Sequence, residues 1–226
     1  MSKLKSKKSL EVKIESIPKH PNPKVELEQY STPATIAADI LWNAYILGDI
    51  DKKNILDLGS GTGIFTIGSL LLGAKYSIGV EIDKESIDLA IKTAKSMELA
   101  NYNFLNEDLY SFTDLSNENL NKDIFKEIFN PVDTVIQNPP FGSQFKGKRS
   151  SDRIFIQVAM LLSPVVYSFH MAKTENFLDS YFKSYNGKIT HKFYYDFPIP
   201  KIYDFHKMQS KNIQIIVLRV ENRNLI

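Results

Sequence analysis

The feature that most constrains the fold is a short apolar run that leads into three alternating glycines. Residues 55–58, which include Asp57, are followed by Gly59, Gly61 and Gly63, and apolar residues recur at positions 64, 67 and 71. The run predicts a buried strand, and the later spacing predicts one face of a helix. Alternate glycines permit positive φ angles and let a ligand approach the backbone closely. The segment therefore predicts a strand, a glycine loop and a helix that together hold a nucleotide-like ligand.

Acidic residues stand near the ends of the next two predicted strands. The second predicted strand ends just before Glu81, and the third ends shortly before Asp108. A carboxylate after the second strand can accept hydrogen bonds from both hydroxyls of a ribose, so we assign that role to Glu81 and expect Ile82 to cover an adenine ring. Asp108 is placed to accept from the adenine amino group, with Leu109 beside the ring. Asp83 is expected instead to cap the following helix.

The tetrapeptide Asn-Pro-Pro-Phe at 138–141 follows the apolar run 132–136 and predicts a rigid corner. Two consecutive prolines remove two backbone donors and fix two φ angles, and the first disfavours a helical conformation at the residue before it. The Asn138 side-chain oxygen and the Pro139 carbonyl can both accept hydrogen bonds, which suits a planar NH2 group. Phe141 offers a face on which the ring carrying that group can stack. A plain proline-rich turn is the alternative; the candidate catalytic residues are Asn138, Pro139, Pro140 and Phe141.

In their order along the chain, these motifs resemble those of class I amino-methyltransferases that depend on S-adenosylmethionine (SAM). The matching residues are Asp57, Gly59, Gly61, Gly63, Glu81, Asp108 and the Asn-Pro-Pro-Phe corner. The chain is similar in particular to the methyltransferase-like protein 5 family, the adenosine N6-methyltransferases of small-subunit ribosomal RNA, in its archaeal form. The segments 27–33, 133–142, 166–170 and 203–207 carry this likeness, which covers about residues 25–222. Glu81 stands where relatives often carry Asp, an exchange that keeps the carboxylate.

The resemblance implies a fold, a cofactor and partners. The fold is a Rossmann-like α/β sheet, mostly parallel, of seven strands in the order 3-2-1-4-5-7-6 with helices on both faces. The cofactor is SAM, and the substrate is an adenosine of structured RNA. Gln29, Tyr30 and Thr32 would line the cofactor pocket, although local sequence alone predicts Thr32 as a helix N-cap and Pro33 as the first helical residue. Eukaryotic members act with a small zinc-binding methyltransferase activator protein, so residues 102–105 are the expected docking strand.

Two other functions fit parts of the pattern. Release-factor glutamine methyltransferases also carry Asn-Pro-Pro and an aromatic residue, but they add an N-terminal helical domain and favour Tyr. DNA adenine methyltransferases usually add a large target-recognition region, for which 226 residues leave little room. A non-catalytic scaffold would have no need of Asp57, Glu81, Asp108 and Asn138. Protein glutamine methylation and DNA adenine methylation therefore stay as the alternatives.

Composition agrees with an ordinary α/β enzyme. With 226 residues and 43% hydrophobic content the chain can bury one full core. It has no cysteine, which excludes disulfides and thiolate catalysis, and its four histidines lack metal-ligand spacing, so we predict no metal site. No apolar stretch reaches the length of a membrane span, and the N-terminus lacks a signal peptide. A cytoplasmic location is the default expectation.

Basic residues concentrate at the N-terminus and in one loop. Residues 1–24 hold seven lysines against Glu11 and Glu15, which predicts a solvated basic extension that neutralises nucleic-acid phosphates. We therefore divide the chain into this extension and a single domain at 25–226. The loop 142–152 is expected to clamp a phosphate beside the reacting nucleotide. The histidines at 170 and 206 are either structural or in contact with substrate; the full set of candidates for substrate contact is Lys146, Lys148, Arg149, His170, His206 and Lys207.

Overall fold

The computed structural model describes residues 4–20, 22–24, 27–109, 113–114, 119–120, 131–141, 151–200 and 210–226. Within them lie the helices α1 (Lys7–Glu15), α2 (Ala34–Ile46), α3 (Ile64–Leu71), α4 (Lys84–Ser96), α5 (Ser151–Leu162) and α6 (Glu175–Ser184). The main sheet contains the strands β1 (Asn54–Leu58), β2 (Tyr76–Glu81), β3 (Tyr102–Asn106), β4 (Thr134–Gln137), β5 (Val165–Met171), β6 (Gly187–Pro200) and β7 (Ser210–Asn222). No helix in this described part has the length and apolar character needed to cross a membrane.

The sheet has the strand order β3-β2-β1-β4-β5-β7-β6, which confirms the predicted topology. Strand β1 is central and runs parallel to both neighbours, with Asp57 opposite Gly79 on β2 and Ile136 on β4. Strand β7 runs antiparallel to β5 and β6. The order reverses between β1 and β4, so a crevice opens beyond their carboxyl ends, where open α/β sheets bind ligands.

Apolar side chains cover both faces of the sheet, in two separate clusters. Helices α1 to α4 pack on one face with Ile55, whereas α5 and α6 pack on the other with Leu56 and Leu58. This alternation follows from the two-residue period of a strand. Helices on both faces were predicted, and they explain why β1 and β4 are buried along almost their whole length: parallel strands are covered on both sides.

The N-terminal segment is not the solvated extension that we predicted. Ser6 caps helix α1, its hydroxyl accepting a hydrogen bond from the Ser9 backbone N–H at 3.2 Å. Leu10 and Ile14 are fully buried and belong to the core cluster of α2 and α3. Gly68 on α3 permits this packing, because a Cβ there would overlap the Leu41 side chain. The apolar residues at 10, 14 and 17 have helical spacing, a signal that the lysines around them obscured.

Candidate active site

A cavity of about 330 Å³ opens at the carboxyl ends of β1, β2 and β4. Its volume lies within the range of small-molecule sites, roughly 300–1,000 Å³. The walls come from the glycine loop, from the ends of β2 and β3, from the start of the Asn-Pro-Pro-Phe corner, and from residues 17–20 and 27–32, hereafter the wall segment. The predicted residues among its lining are Gln29, Tyr30, Thr32, Gly59, Gly61, Glu81, Ile82, Asp108, Leu109, Asn138 and Pro140.

The three positions 59, 61 and 63 of the loop require glycine because of their backbone φ angles, and a side chain at Gly63 would also clash with its neighbours. Gly59, Gly61 and Gly63 have φ angles of 68°, 53° and 87°, in the left-handed region that other residues rarely adopt. A Cβ at Gly61 would meet open space, whereas one at Gly63 would press on Phe104 at 3.0 Å. Gly63 therefore avoids a clash at the junction with α3 and is not among the residues that line the cavity, so its contact with the cofactor stays a prediction.

Asp57 lies under the loop and is not among the residues that line the cavity, so its direct contact with the cofactor stays a prediction. Its side chain is fully buried, and Oδ2 accepts hydrogen bonds from the Thr66 backbone N–H at 2.9 Å and from the Thr66 hydroxyl at 2.8 Å. Burial raises the pKa of Asp57 to about 7, although both bonds from Thr66 oppose that shift. Asp57 thus ties the end of β1 to the first turn of α3 and holds the loop in shape.

Glu81 joins the loop to the start of α4 and faces the cavity. Its Oε2 accepts the Gly61 backbone N–H at 2.9 Å, and its Oε1 accepts the Asp83 backbone N–H at 2.9 Å. Burial raises the pKa of Glu81 above its ordinary value, while these two backbone bonds favour the ionised form. Each carboxylate oxygen has a further lone pair. Glu81 can therefore accept hydroxyl groups of a ribose while it holds the loop.

Asp83 occupies the N-cap position of α4, but its carboxylate makes no capping bond to the helix, so the predicted role is wrong. Oδ2 instead contacts His20 Nε2 at 2.6 Å and accepts from Gln29 Nε2 and the Ser86 hydroxyl, both at 3.0 Å, while Oδ1 accepts from Lys24 Nζ at 2.6 Å. Burial alone would raise the pKa of Asp83, yet the bonds from Lys24, Gln29 and Ser86 outweigh it and keep the pKa well below its usual range. Asp83 anchors the wall segment.

The side-chain amide of Asn138 is held by a hydrogen bond to Thr32, and both residues line the cavity. Its Nδ2 donates to the Thr32 hydroxyl at 3.0 Å, and its Oδ1 has no hydrogen-bond partner among the described residues. Thr32 is therefore not the helix cap that local sequence predicts: α2 begins at Ala34, with Pro33 at the N-cap position and no side-chain cap. Pro140 also lines the cavity, whereas Pro139 and Phe141 lie outside the lining. Phe141 packs edge-on against Phe197, with ring centroids 5.9 Å apart.

His170 has the structural role, one of the two that the sequence left open, and it is not among the residues that line the cavity. Its side chain is buried, bonds to the Ser168 hydroxyl at 2.7 Å through Nε2, and packs edge-on against Phe182. Burial lowers the pKa of His170 to about 3, so the ring is neutral at ordinary pH. The other candidates for substrate contact, Lys146, Lys148, Arg149, His206 and Lys207, lie outside the described residues.

Several lining residues were not foreseen from sequence. His20 belongs to the stretch that we interpreted as an extension, and Phe155 lies on α5, where its ring approaches Gly59. No local motif marks either residue, because each reaches the cavity only through tertiary packing. Ser60 and Thr62, which lie between the glycines, also line it, and their position in the loop could have identified them.

The sheet topology, the glycine loop with Glu81 and the Asn138 corner together define a class I SAM-dependent methyltransferase. Residues 43–138 match the family model described as ribosomal protein L11 methyltransferase. The chain is 32% identical to the rRNA N(6)-adenosine-methyltransferase Mettl5 of Drosophila melanogaster, covering 98% of each, and 30% identical to METTL5 of Danio rerio, covering 94% of this chain and 97% of the other. The chain therefore belongs to the METTL5 family of rRNA N6-adenosine methyltransferases.

Two relatives from other organisms agree with this placement. An uncharacterised protein of Methanocaldococcus jannaschii is 40% identical over 95% of this chain and 94% of its own. A solved structure from Pyrococcus horikoshii, described as a candidate RNA methyltransferase, superposes with a TM-score of 0.81 at 35% identity and covers 97% of this chain and 98% of that one.

Proposed function

We propose that this chain transfers the methyl group of SAM to N6 of an adenosine in ribosomal RNA, and that the RNA is that of the small subunit. The observation that carries the proposal is the Asn138 corner. Its amide nitrogen donates to the Thr32 hydroxyl, and its oxygen is buried without a hydrogen-bond partner in the described part of the chain, in a residue that lines the cavity. The full-length relatives, whose names specify rRNA and adenosine N6, support the substrate class.

The residues around the cavity fit SAM. Glu81 offers carboxylate lone pairs to a ribose, Ile82 is half exposed where an adenine ring would need an apolar cover, and Leu109 is buried beside it. Gly61 leaves open space at the backbone, where the cofactor would approach. When bound, SAM supplies an electrophilic methyl group on a positively charged sulfur. Gln29 and Tyr30 of the wall segment lie where they would cover the methionine end.

The chemistry rests on hydrogen-bond acceptors. An exocyclic adenine amine is a poor nucleophile because its lone pair is conjugated with the ring. When Asn138 Oδ1 and the Pro139 carbonyl accept its two N–H groups, they favour a pyramidal nitrogen and stabilise the positive charge that develops on it. Holding the nitrogen in line with the methyl group supplies the remaining acceleration through proximity. The product loses its proton readily, so no general base is needed before attack. The base must leave its stack, and Phe141 is proposed to replace the lost neighbour.

The decisive experiment is methyl transfer from labelled SAM to purified small-subunit rRNA, with release factor as the competing substrate. We expect label in N6-methyladenosine and none in glutamine. Glutamine methylation is the alternative that a specific similarity favours: a candidate protein N5-glutamine methyltransferase of Methanocaldococcus jannaschii is 30% identical, but over only 42% of this chain. Label in release factor alone would overturn the proposal.

Asn138→Ala tests the catalytic assignment. We expect methyl transfer to fall by about 100-fold or more, because an acceptor that acts on the developing charge is lost. SAM affinity, measured by calorimetry, should change by less than about threefold, because the variant leaves the Glu81 side of the cavity intact. Turnover within a few-fold of wild type would remove Asn138 from the mechanism.

We further propose two contacts for the macromolecular partners. Lys146, Lys148 and Arg149, with Lys207 and His206, are proposed to hold the RNA backbone near the flipped adenosine. Strand β3 is an edge strand of the sheet, so its outer backbone groups can pair with a strand of a small zinc-binding activator protein. Because the proposed substrate is ribosomal RNA, a cytoplasmic location also remains our prediction.

A further inference from the structure

We propose that Thr32 is a positioning residue that sets which end of the Asn138 amide faces the reacting amine. The inference rests on the proposed amine methylation and extends it to a residue 106 positions earlier in the chain. Thr32 is 8% exposed and lines the cavity, and its hydroxyl accepts the Asn138 Nδ2–H at 3.0 Å. The contact joins the start of α2 to the end of β4 directly across the site.

The local structure leaves this hydroxyl no capping role. Threonine before a helix usually accepts a backbone N–H of the first turn, and the sequence Thr32-Pro33 suggests such a cap. In the structure α2 starts at Ala34 without any side-chain cap. The Thr32 hydroxyl is therefore committed to the Asn138 amide, and helix capping does not explain its presence.

The two ends of an asparagine amide have almost the same shape and opposite chemistry. The oxygen accepts hydrogen bonds, whereas the nitrogen can only donate. A substrate NH2 group that met Asn138 Nδ2 would face a second donor, and the attacking nitrogen would lose its acceptor. With Nδ2 bound to Thr32, Oδ1 is the end without a partner in the described residues. The Thr32 hydroxyl thus binds the nitrogen end of the amide and leaves the oxygen end, Oδ1, as the acceptor for the substrate amine.

The test compares Thr32→Val, which keeps the side-chain shape but removes the hydroxyl, with Thr32→Ser, which keeps it. We expect kcat of Thr32→Val to fall on the order of 10-fold, the equivalent of one lost hydrogen bond of about 1.4 kcal/mol. The SAM dissociation constant and the melting temperature should stay close to wild type. Thr32→Ser should recover most of kcat. Thr93→Val is the matched control, because Thr93 is a buried threonine of α4 whose hydroxyl donates to the Leu89 carbonyl at 2.8 Å.

The outcomes separate this inference from the proposed function. If Thr32→Val keeps full kcat, or if Thr32→Ser is as slow as Thr32→Val, the positioning role is wrong even when the wild-type enzyme methylates rRNA. If Thr32→Val lowers kcat no more than Thr93→Val does, the effect is a general loss of stability and the inference fails. If wild type methylates release factor instead of rRNA, the proposed function fails, and the same variants still test Thr32 because a glutamine NH2 group needs the same acceptor.

Discussion

At the scale of single residues, a buried row of polar groups connects β4 and β5 next to the Asn138 corner. Gln137 Nε2 donates to the Ser168 hydroxyl at 2.8 Å, and that hydroxyl bonds to His170 at 2.7 Å. Gln137 directly precedes Asn138 along the chain. The row gives partners to Gln137 Nε2, Ser168 and His170, each of which would otherwise be buried unpaired at a cost of about 1–3 kcal/mol, and it fixes the strand from which the corner begins.

The neutral state of His170 makes stability depend on pH. The pKa of His170 is about 3 in the native protein, against an ordinary value of 6.5. Between these two pH values His170 therefore binds a proton in the unfolded chain but not in the native protein. The neutral ring's contribution to the free energy of unfolding is fully present above pH 6.5. It is lost as the pH falls toward 3, by at most about 1.4 kcal/mol per pH unit. We expect His170→Gln to flatten this part of the profile, measured by denaturant unfolding at pH 7, 6 and 5. An unchanged slope would contradict the buried neutral ring.

Sequence predicted the residues whose function depends on a local motif and misassigned those whose partners are distant in the chain. Glu81, Gly61 and Asn138 line the cavity as expected, because strand ends and loop conformation are set locally. Thr32 and Asp83 each follow a familiar local pattern, that of a residue that caps the helix after it. Their side chains instead bond to residues distant in the chain, Thr32 to Asn138 and Asp83 to His20.

At the scale of elements, helix α1 is part of the hydrophobic core. We expect Leu10→Ala to lower the free energy of unfolding by about 2–5 kcal/mol, because it leaves a cavity against α2 and α3. Val12→Ala on the same helix should change it by less than about 0.5 kcal/mol, since Val12 is 61% exposed. Denaturant unfolding of both variants checks the pair. Equal effects would mean that α1 does not pack as the structure shows.

The wall segment depends on Asp83, which binds His20, Lys24 and Gln29 through short contacts. We expect Asp83→Asn to weaken SAM binding by about 10-fold, because these charge-assisted bonds hold one wall of the cavity and are each worth roughly 1.5–3 kcal/mol. Asp88→Asn on the same helix removes an exposed pair with Lys84 and should leave SAM binding unchanged. Calorimetric titration with SAM distinguishes the two. Wild-type affinity in Asp83→Asn would show that the segment does not shape the cofactor site.

The strands and helices of the sheet were predicted more reliably than the N-terminal segment that packs against them. The strand order and the helices on both faces followed from the family likeness and from the apolar runs, and the structure confirms them. Helix α1 was not predicted because lysines dominate the composition of the segment. Leu10 and Ile14, which share one face of α1, and Ile17 just beyond its end pack into the core and reveal that the segment is folded.

At the scale of the whole molecule, one buried ion pair connects the turn before β1 to the far side of the sheet. Arg219 on β7 binds both carboxylate oxygens of Asp49, at 2.7 and 3.1 Å, and Tyr167 on β5 donates to the same carboxylate at 2.6 Å. The Thr134 hydroxyl on β4 donates to the Asp49 backbone carbonyl at 2.7 Å. Three neighbouring strands therefore converge on one residue outside the sheet.

Breaking this pair should destabilise the entire fold. We expect Arg219→Met to cost about 3–5 kcal/mol of unfolding free energy, because it leaves the Asp49 carboxylate buried without its cation. Glu221→Gln removes the more exposed partner of Arg219 and should cost at most about 1 kcal/mol. Thermal and denaturant unfolding measure both. A loss below about 1 kcal/mol for Arg219→Met would show that the pair is dispensable.

Helix α1 packs in the core and its last two residues, Ile14 and Glu15, border the cavity, which the wall segment that follows continues to line. Docking of the chain's beginning and occupancy by SAM are therefore thermodynamically linked, and linkage is reciprocal. Any change that loosens the first twenty residues should lower affinity for the cofactor. In return, saturating cofactor should slow hydrogen exchange at amides of α1, including those before Ile14, which lie outside the lining of the cavity.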